Sequence, residues 1–144
     1  MCMSYIDDVR GFFKEDRFAV GIGIKIEEAK KDYARCSLAI EDRHLNASGR
    51  VQGGVSFTLG DFTFAVAANS CGKCTVSMDT TISHTHPAKG RMLYAEAEKM
   101  TGTRHVVFYQ VRVYDELGTD VARMQVTGYI TDVDNGLHPE QENA

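Results

Sequence analysis

Hydrophobic positions change period along the chain, and the changes mark out its elements. In residues 4–14, Ile6, Val9, Phe12 and Phe13 recur at helical spacing, with Asp7 and Asp8 in the first turn. That predicts a short amphipathic helix lying across a sheet edge. Residues 18–26 alternate, with Phe18, Val20, Ile22, Ile24 and Ile26 on one side and Ala19, Gly21, Gly23 and Lys25 on the other. The period of two predicts a strand whose second face packs closely. Residues 34–40 predict a second strand with Ala34, Cys36, Leu38 and Ile40 inward, ended by the polar run Glu41-Asp42-Arg43-His44.

The period then returns to that of a helix. Asn46-Ala47-Ser48-Gly49-Arg50-Val51-Gln52-Gly53-Gly54 is a polar, glycine-rich turn feeding an apolar segment over 55–70. Val55, Leu59, Phe62 and Val66 form one helical face, and Ala65 and Ala68 fill another. A helix apolar nearly all round is expected to be buried. Its single charge is Asp61. A carboxylate there costs several kcal/mol unless it is paired, hydrated or used.

Four further strands follow. Residues 75–84 are rich in β-branched side chains, with Val76, Met78, Thr80 and Ile82 expected on one face. A turn at His86-Pro87-Ala88-Lys89-Gly90 leads to a strand over 91–100. Thr101-Gly102-Thr103 turns the chain into 106–114, and Asp115-Glu116-Leu117-Gly118 turns it into 121–130. Residues 134–144 are polar and expected to fray. Two helices, one short and one long, and six strands predict an α+β domain in which a curved antiparallel sheet wraps the long helix. The helix's outer face would still need cover, which favours a second copy of the chain.

With 144 residues, the chain suits one domain with a sizeable core. A net charge of −4 gives no support for nucleic acid as partner. No apolar run is long enough to cross a bilayer, and the N-terminus lacks the pattern of a signal peptide, so a cytoplasmic location is expected. Cys2, Cys36, Cys71 and Cys74 do not form a disulfide framework for a chain of this size. Cys71-Gly72-Lys73-Cys74 is a lone CxxC, and His84 and His86 could complete a tetrahedron only by accident of folding. A helix-terminating turn carrying two thiols is the expectation, with no metal.

The chemistry concentrates at the helix start. Gly53 and Gly54 stand where backbone N–H groups lack internal partners and the dipole is positive. Such N–H groups can polarise a carbonyl and hold an oxyanion. The plain alternative is a tight loop-to-helix junction. Asp61 can act as general base or nucleophile; its plain alternative is a buried aspartate satisfied by the Thr58 or Thr63 hydroxyl. Eight residues separate Gly53 from Asp61, about 12 Å of helical rise. Attack needs reacting atoms within about 3.5 Å. Two antiparallel helices about a two-fold axis would bring Asp61 of one to Gly53 of the other. A homodimer with interfacial active sites is therefore expected.

The ordered motifs Asn46-x5-Gln52-Gly53-Gly54, Leu59-x-Asp61, Ser77-x-Asp79, His86-Pro87-Ala88-Lys89-Gly90 and Leu93-x-Ala95-Glu96-Ala97 resemble the PaaI-like hotdog-fold thioesterases. Val113-Tyr114-Asp115 and Gly118-x-x-Val121-Ala122 agree, so the likeness spans residues 18–131. The resemblance implies one hotdog domain over 1–144 that hydrolyses acyl-CoA thioesters, with coenzyme A as part of the substrate and no separate cofactor. It implies that the Gly53 amide polarises the carbonyl and partner Asp61 is nucleophile or base. Asn46 matches a position orienting water or substrate, and Ser77 a hydroxyl that places water. Gln52 and Gly54 belong to the binding turn; Lys89 and Arg91 are candidate phosphate contacts, or simply a solvated basic turn. Tetramers are common where this fold is found. Where the family usually has His-Gly-Gly, this chain has Gln52, and His44 is the nearest substitute in sequence. A hydratase usually needs a histidine near the helix, which the helix itself lacks. A non-catalytic acyl-CoA binding protein is the other alternative.

Overall fold

The computed structural model describes residues 4–140. Its elements, in chain order, are helices α1 (Tyr5–Phe13) and α2 (Arg17–Gly21), and strands β1 (Lys25–Lys30) and β2 (Tyr33–Ala39). The long helix α3 (Gly53–Ala68) follows, then β3 (Lys73–His84), β4 (Met92–Gly102), β5 (Val106–Asp115) and β6 (Asp120–Asp134). The six strands form one antiparallel sheet in the order β1-β2-β4-β5-β6-β3. This is the hotdog arrangement, an α+β fold with a sheet curved around α3.

Alternation builds the core as expected. Ala34, Cys36 and Leu38, then Leu93, Ala95 and Ala97, then Val107, Tyr109, Val111 and Val113, point inward from β2, β4 and β5. Ala122, Met124 and Val126 continue the face on β6. Against them α3 packs Leu59, Phe62, Phe64 and Val66. Close approach depends on two glycines. A β-carbon on Gly60 would lie 2.1 Å from the Met124 sulfur, and one on Gly128 2.7 Å from the Phe64 ring. Either would overpack the interior.

Three expectations fail locally. Residues 17–21 are helical, not extended: the Asp16 carboxylate caps α2 by accepting from Ala19 N–H at 3.1 Å. Gly23, at φ 103°, then reverses the chain before β1 starts at Lys25. Phe18 is 68% exposed, so the alternation there did not mark a buried face. In β3, a bulge between Ser77 and Asp79 shifts the register. Val76 is therefore outward, opposite Tyr129, while Thr80 and Ile82 lie opposite inward Val126 and Met124. Lastly, β6 runs to Asp134, and Leu137 is buried, so the expected fraying does not begin at 134. Cys2 and the end of that tail, 141–144, lie outside the described residues.

No helix among the described residues is long and apolar enough to cross a membrane. Gly72, left-handed at φ 86°, closes the turn after α3, where Cys71 is an exposed free thiol. No group of three or more metal-ligating side chains occurs among the described residues.

Candidate active site

The side of α3 turned away from the sheet is an open stripe. Gly54 and Phe57 are exposed, and Thr58, Asp61 and Ala65 half-buried, at i, i+3, i+4, i+7 and i+11. The helix is thus not buried all round; one face has no cover in a single protomer. Asp61 is at its centre. Thr58 and Thr63 do not satisfy it: their hydroxyls donate back to Gly54 O at 2.8 Å and Leu59 O at 2.6 Å. The hydroxyl acting on Asp61 is that of Ser77. Burial raises the carboxyl's pKa above the ordinary aspartate value, the Ser77 hydroxyl pulls it down, and the Asp16 charge adds to the rise. The β3 bulge is what allows this pairing. It puts Ser77, opposite Gly128, on the same inner side as Thr80, Ile82 and His84.

Gln52 is the N-cap of α3, and its side chain accepts the Gly54 N–H. Val55 N–H donates to Gln52 O at 2.9 Å. The Gly53 N–H has no acceptor among the described residues. The first turn therefore presents a single unsatisfied donor. Gln52 backs the loop with its own amide, donated to His44 O at 2.9 Å.

Beside Gly53 lies a cavity of about 270 Å³ lined by Ser56, His84, His86 and Ala88. A β-carbon on Gly53 would meet His84 Cε1 at 3.2 Å and Nε2 at 3.3 Å, so the imidazole packs on this glycine. His44 does not substitute in this way. It is 2% exposed, with Nδ1 accepting Glu41 N–H at 2.9 Å and Nε2 2.7 Å from Ile22 O. It is a structural residue. The signal for His84 lies only in how β3 registers against α3.

Asn46 sits in the loop before α3. Its Oδ1 accepts Ser48 N–H at 2.9 Å and Arg50 N–H at 3.2 Å, leaving only Nδ2 to act outward. Among the described residues it makes no hydrogen bond to Asp61 or Gly53. Lys89 and Arg91 occupy a turn held by acidic side chains. Lys89 and Gly90 N–H donate to Asp115 Oδ2 at 2.8 and 2.9 Å, and Arg91 and Met92 N–H to Glu116 at 2.7 and 2.9 Å. Burial opposes ionisation of Asp115, but the N–H groups of Lys89, Thr119 and Gly90 outweigh it and hold its pKa at about 2. The backbone is fixed and both basic side chains are exposed.

On the opposite flank of α3 is a cavity of about 370 Å³, lined by Phe13, Val20, Ile24, Ile26 and Phe62, with Arg10 tied to Ile26 O at 2.6 Å. One protomer thus gathers Asp61 with Ser77, and Gly53 with His84, but does not unite the two pairs.

Comparison with known proteins identifies the family. The family model described as "Thioesterase superfamily" matches residues 48–122. A protein of Archaeoglobus fulgidus described as "Putative esterase" is 30% identical over 118 residues, 81% of this chain and 77% of that protein. "Acyl-coenzyme A thioesterase PaaI" of Escherichia coli is 26% identical over 116 residues, 80% of this chain and 83% of its own. The solved E. coli PaaI structure superimposes with a TM-score of 0.85 at 22% identity, covering 90% of this chain and 95% of that one. From the glycine turn through β3 to the start of β6, the chain is a member of the thioesterase superfamily, of the PaaI-like hotdog kind.

Proposed function

We propose that the protein hydrolyses an acyl-CoA thioester at sites shared between two protomers. The observation that carries this is the division of labour along α3: a free N–H at Gly53 and a half-buried carboxylate about 12 Å further on. Neither end suffices alone, and an antiparallel second helix across the open stripe supplies the missing half to each. The exposed Phe57 on that stripe is an apolar contact for such a partner. The similarity to the E. coli acyl-coenzyme A thioesterase supports CoA as the thiol.

In this reading the Gly53 N–H polarises the thioester carbonyl. Asp61 of the partner activates water, or attacks the carbonyl itself, and the Ser77 hydroxyl orients the carboxylate. Water adds its oxygen to the carbonyl carbon and its proton passes to the carboxylate. The tetrahedral intermediate then expels the CoA thiolate, and Asp61 releases the proton. The acyl group occupies the cavity behind Phe62, the neighbour of Asp61 on α3. Lys89 and Arg91 contact the CoA phosphates from their fixed turn, and Asn46 Nδ2 holds water or the substrate carbonyl.

His84 beside the helix start gives a hydratase the imidazole that α3 itself does not carry. A thiol-release assay over a panel of acyl-CoAs separates the readings: hydrolysis frees CoA, hydration changes enoyl absorbance without freeing it, and a binding protein does neither. Asp61→Ala is expected to fold and to lose about a thousandfold in kcat. Unchanged turnover in that variant would remove the mechanism.

A further inference from the structure

An oxyanion forming on a carbonyl is best held by two donors aimed at one point in a site sheltered from water. The backbone at the start of α3 offers only one. Gln52 takes the Gly54 N–H with its own side-chain oxygen, and Val55 N–H is bonded to Gln52 O. What stands next to the remaining donor is the His84 ring, packed on Gly53 and lining the same cavity. Among the described residues neither ring nitrogen of His84 has a hydrogen-bond partner. His86 also lines the cavity, but its Nδ1 is engaged with Asp120 O at 2.9 Å, and it is His84 that meets the glycine. Register fixes this arrangement. His84 is opposite Ala122, on the inner side of β3, so its ring is directed at the helix end and not at the outer face.

We infer that His84 is the second oxyanion donor, its ring N–H and the Gly53 N–H converging on the thioester oxygen. This rests on the hydrolytic reading above. As water adds, the carbonyl π electrons move to oxygen, and the two N–H groups carry that charge until the C–S bond breaks and the pair returns. No proton leaves the imidazole.

The test replaces His84 in two ways. His84→Phe keeps a flat ring against Gly53 but has no donor; His84→Asn loses the ring but keeps an N–H. With phenylacetyl-CoA and hexanoyl-CoA as probes, His84→Phe is expected to lose about a hundredfold in kcat with KM little changed. His84→Asn should recover at least a tenth of the wild-type rate. A packing role predicts the reverse order. Wild-type turnover in His84→Phe, or equal loss in both variants, overturns the assignment. Both variants are compared with Asp61→Ala: an inactive Asp61→Ala beside a fully active His84→Phe sinks the donor alone, whereas an active Asp61→Ala sinks the parent mechanism. A readout independent of turnover uses a CoA ketone analogue, carbonyl carbon-13 labelled, with a methylene between carbonyl and sulfur. Its bound C=O infrared band should move to lower wavenumber in the wild type, less so in His84→Phe. Equal bands in the two proteins would contradict the inference.

Discussion

The two ends of α3 are built on opposite plans. At the C-terminal end the carbonyls of Ala65, Ala67 and Asn69 each receive a side-chain donor. Asn69 Nδ2 donates to Ala65 O at 2.8 Å and Thr75 O at 3.1 Å, and its Oδ1 accepts Thr75 N–H at 3.0 Å. Asn135 Nδ2 reaches Asn69 O at 2.8 Å, and the Ser70 hydroxyl and Tyr109 OH both donate to Ala67 O. At the N-terminal end one backbone donor is left open, beside a cavity and an unpartnered imidazole. Gly53 is half-buried and His84 exposed, so both donors are open to a ligand that enters the cavity. The contrast teaches that one end anchors the helix so that the other can remain unfinished. Substitutions at the two ends should accordingly separate activity from stability.

Of the two ends, the N-terminal one should show the larger effect, when the open donor is removed without disturbing the helix. Gly53 is the first residue of α3, where proline is well tolerated, and Gln52 already has ψ 137°, which a following proline requires. Gly53→Pro should lower kcat about a hundredfold while leaving the unfolding midpoint unchanged or slightly higher. His84, being exposed, can yield to the added ring atoms. A variant that unfolds more easily but turns over normally would reverse the comparison. At the other end, Asn69→Ala should cost about 2 kcal/mol of stability, measured by denaturant unfolding, because buried groups of Ala65, Thr75 and Asn135 lose partners. Its kcat should remain within about twofold of wild type at a temperature where it is folded.

Asp61, between the ends, should show both signatures. Its carboxyl pKa is raised by burial, so the ionised form is the costly one in the folded protein. Stability from this group is present at low pH and is lost as pH rises through the raised value. Asp61→Asn should therefore melt a few degrees higher than wild type at neutral pH. The difference should vanish in acid. The same shift sets the acid limb of activity above the ordinary aspartate value of 3.8, since the carboxylate is the working form. The smallest effect is expected for Gln52→Ala, which uncaps Gly54 N–H and should cost about 0.5–1 kcal/mol.

Much of this architecture is legible in the sequence because local period reports burial. The inner faces of β2, β4, β5 and β6 follow from alternation, and α3 from its apolar run with Asp61 as the lone charge. The failures arise where local pattern and long-range geometry separate. In residues 18–26 large and small side chains alternate as a strand would, but the cap that makes a helix, Asp16, stands just before the pattern begins. One extra residue in the β3 bulge moves Val76 outward and Ser77 inward, and no local rule places a bulge there. His84 is 31 positions from Gly53, and only the packing of β3 against the start of α3 joins them. Asn69 falls inside the expected helix and Asn135 inside the tail expected to fray; that they interlock is likewise a tertiary fact. Hence the acid was visible in the sequence, and the imidazole was not.

The central claim is that each site takes its carboxylate from one protomer and its amide from the other. Subunit exchange tests it. Asp61→Ala and Gly53→Pro proteins are each assayed for thiol release, then mixed under conditions that let protomers exchange. Each alone should be nearly inactive. After random exchange about half the dimers are mixed, and each mixed dimer holds one intact site, so activity should rise to about a quarter of wild type. A mixture no more active than its two parents, with exchange verified by mass spectrometry, would contradict the shared site.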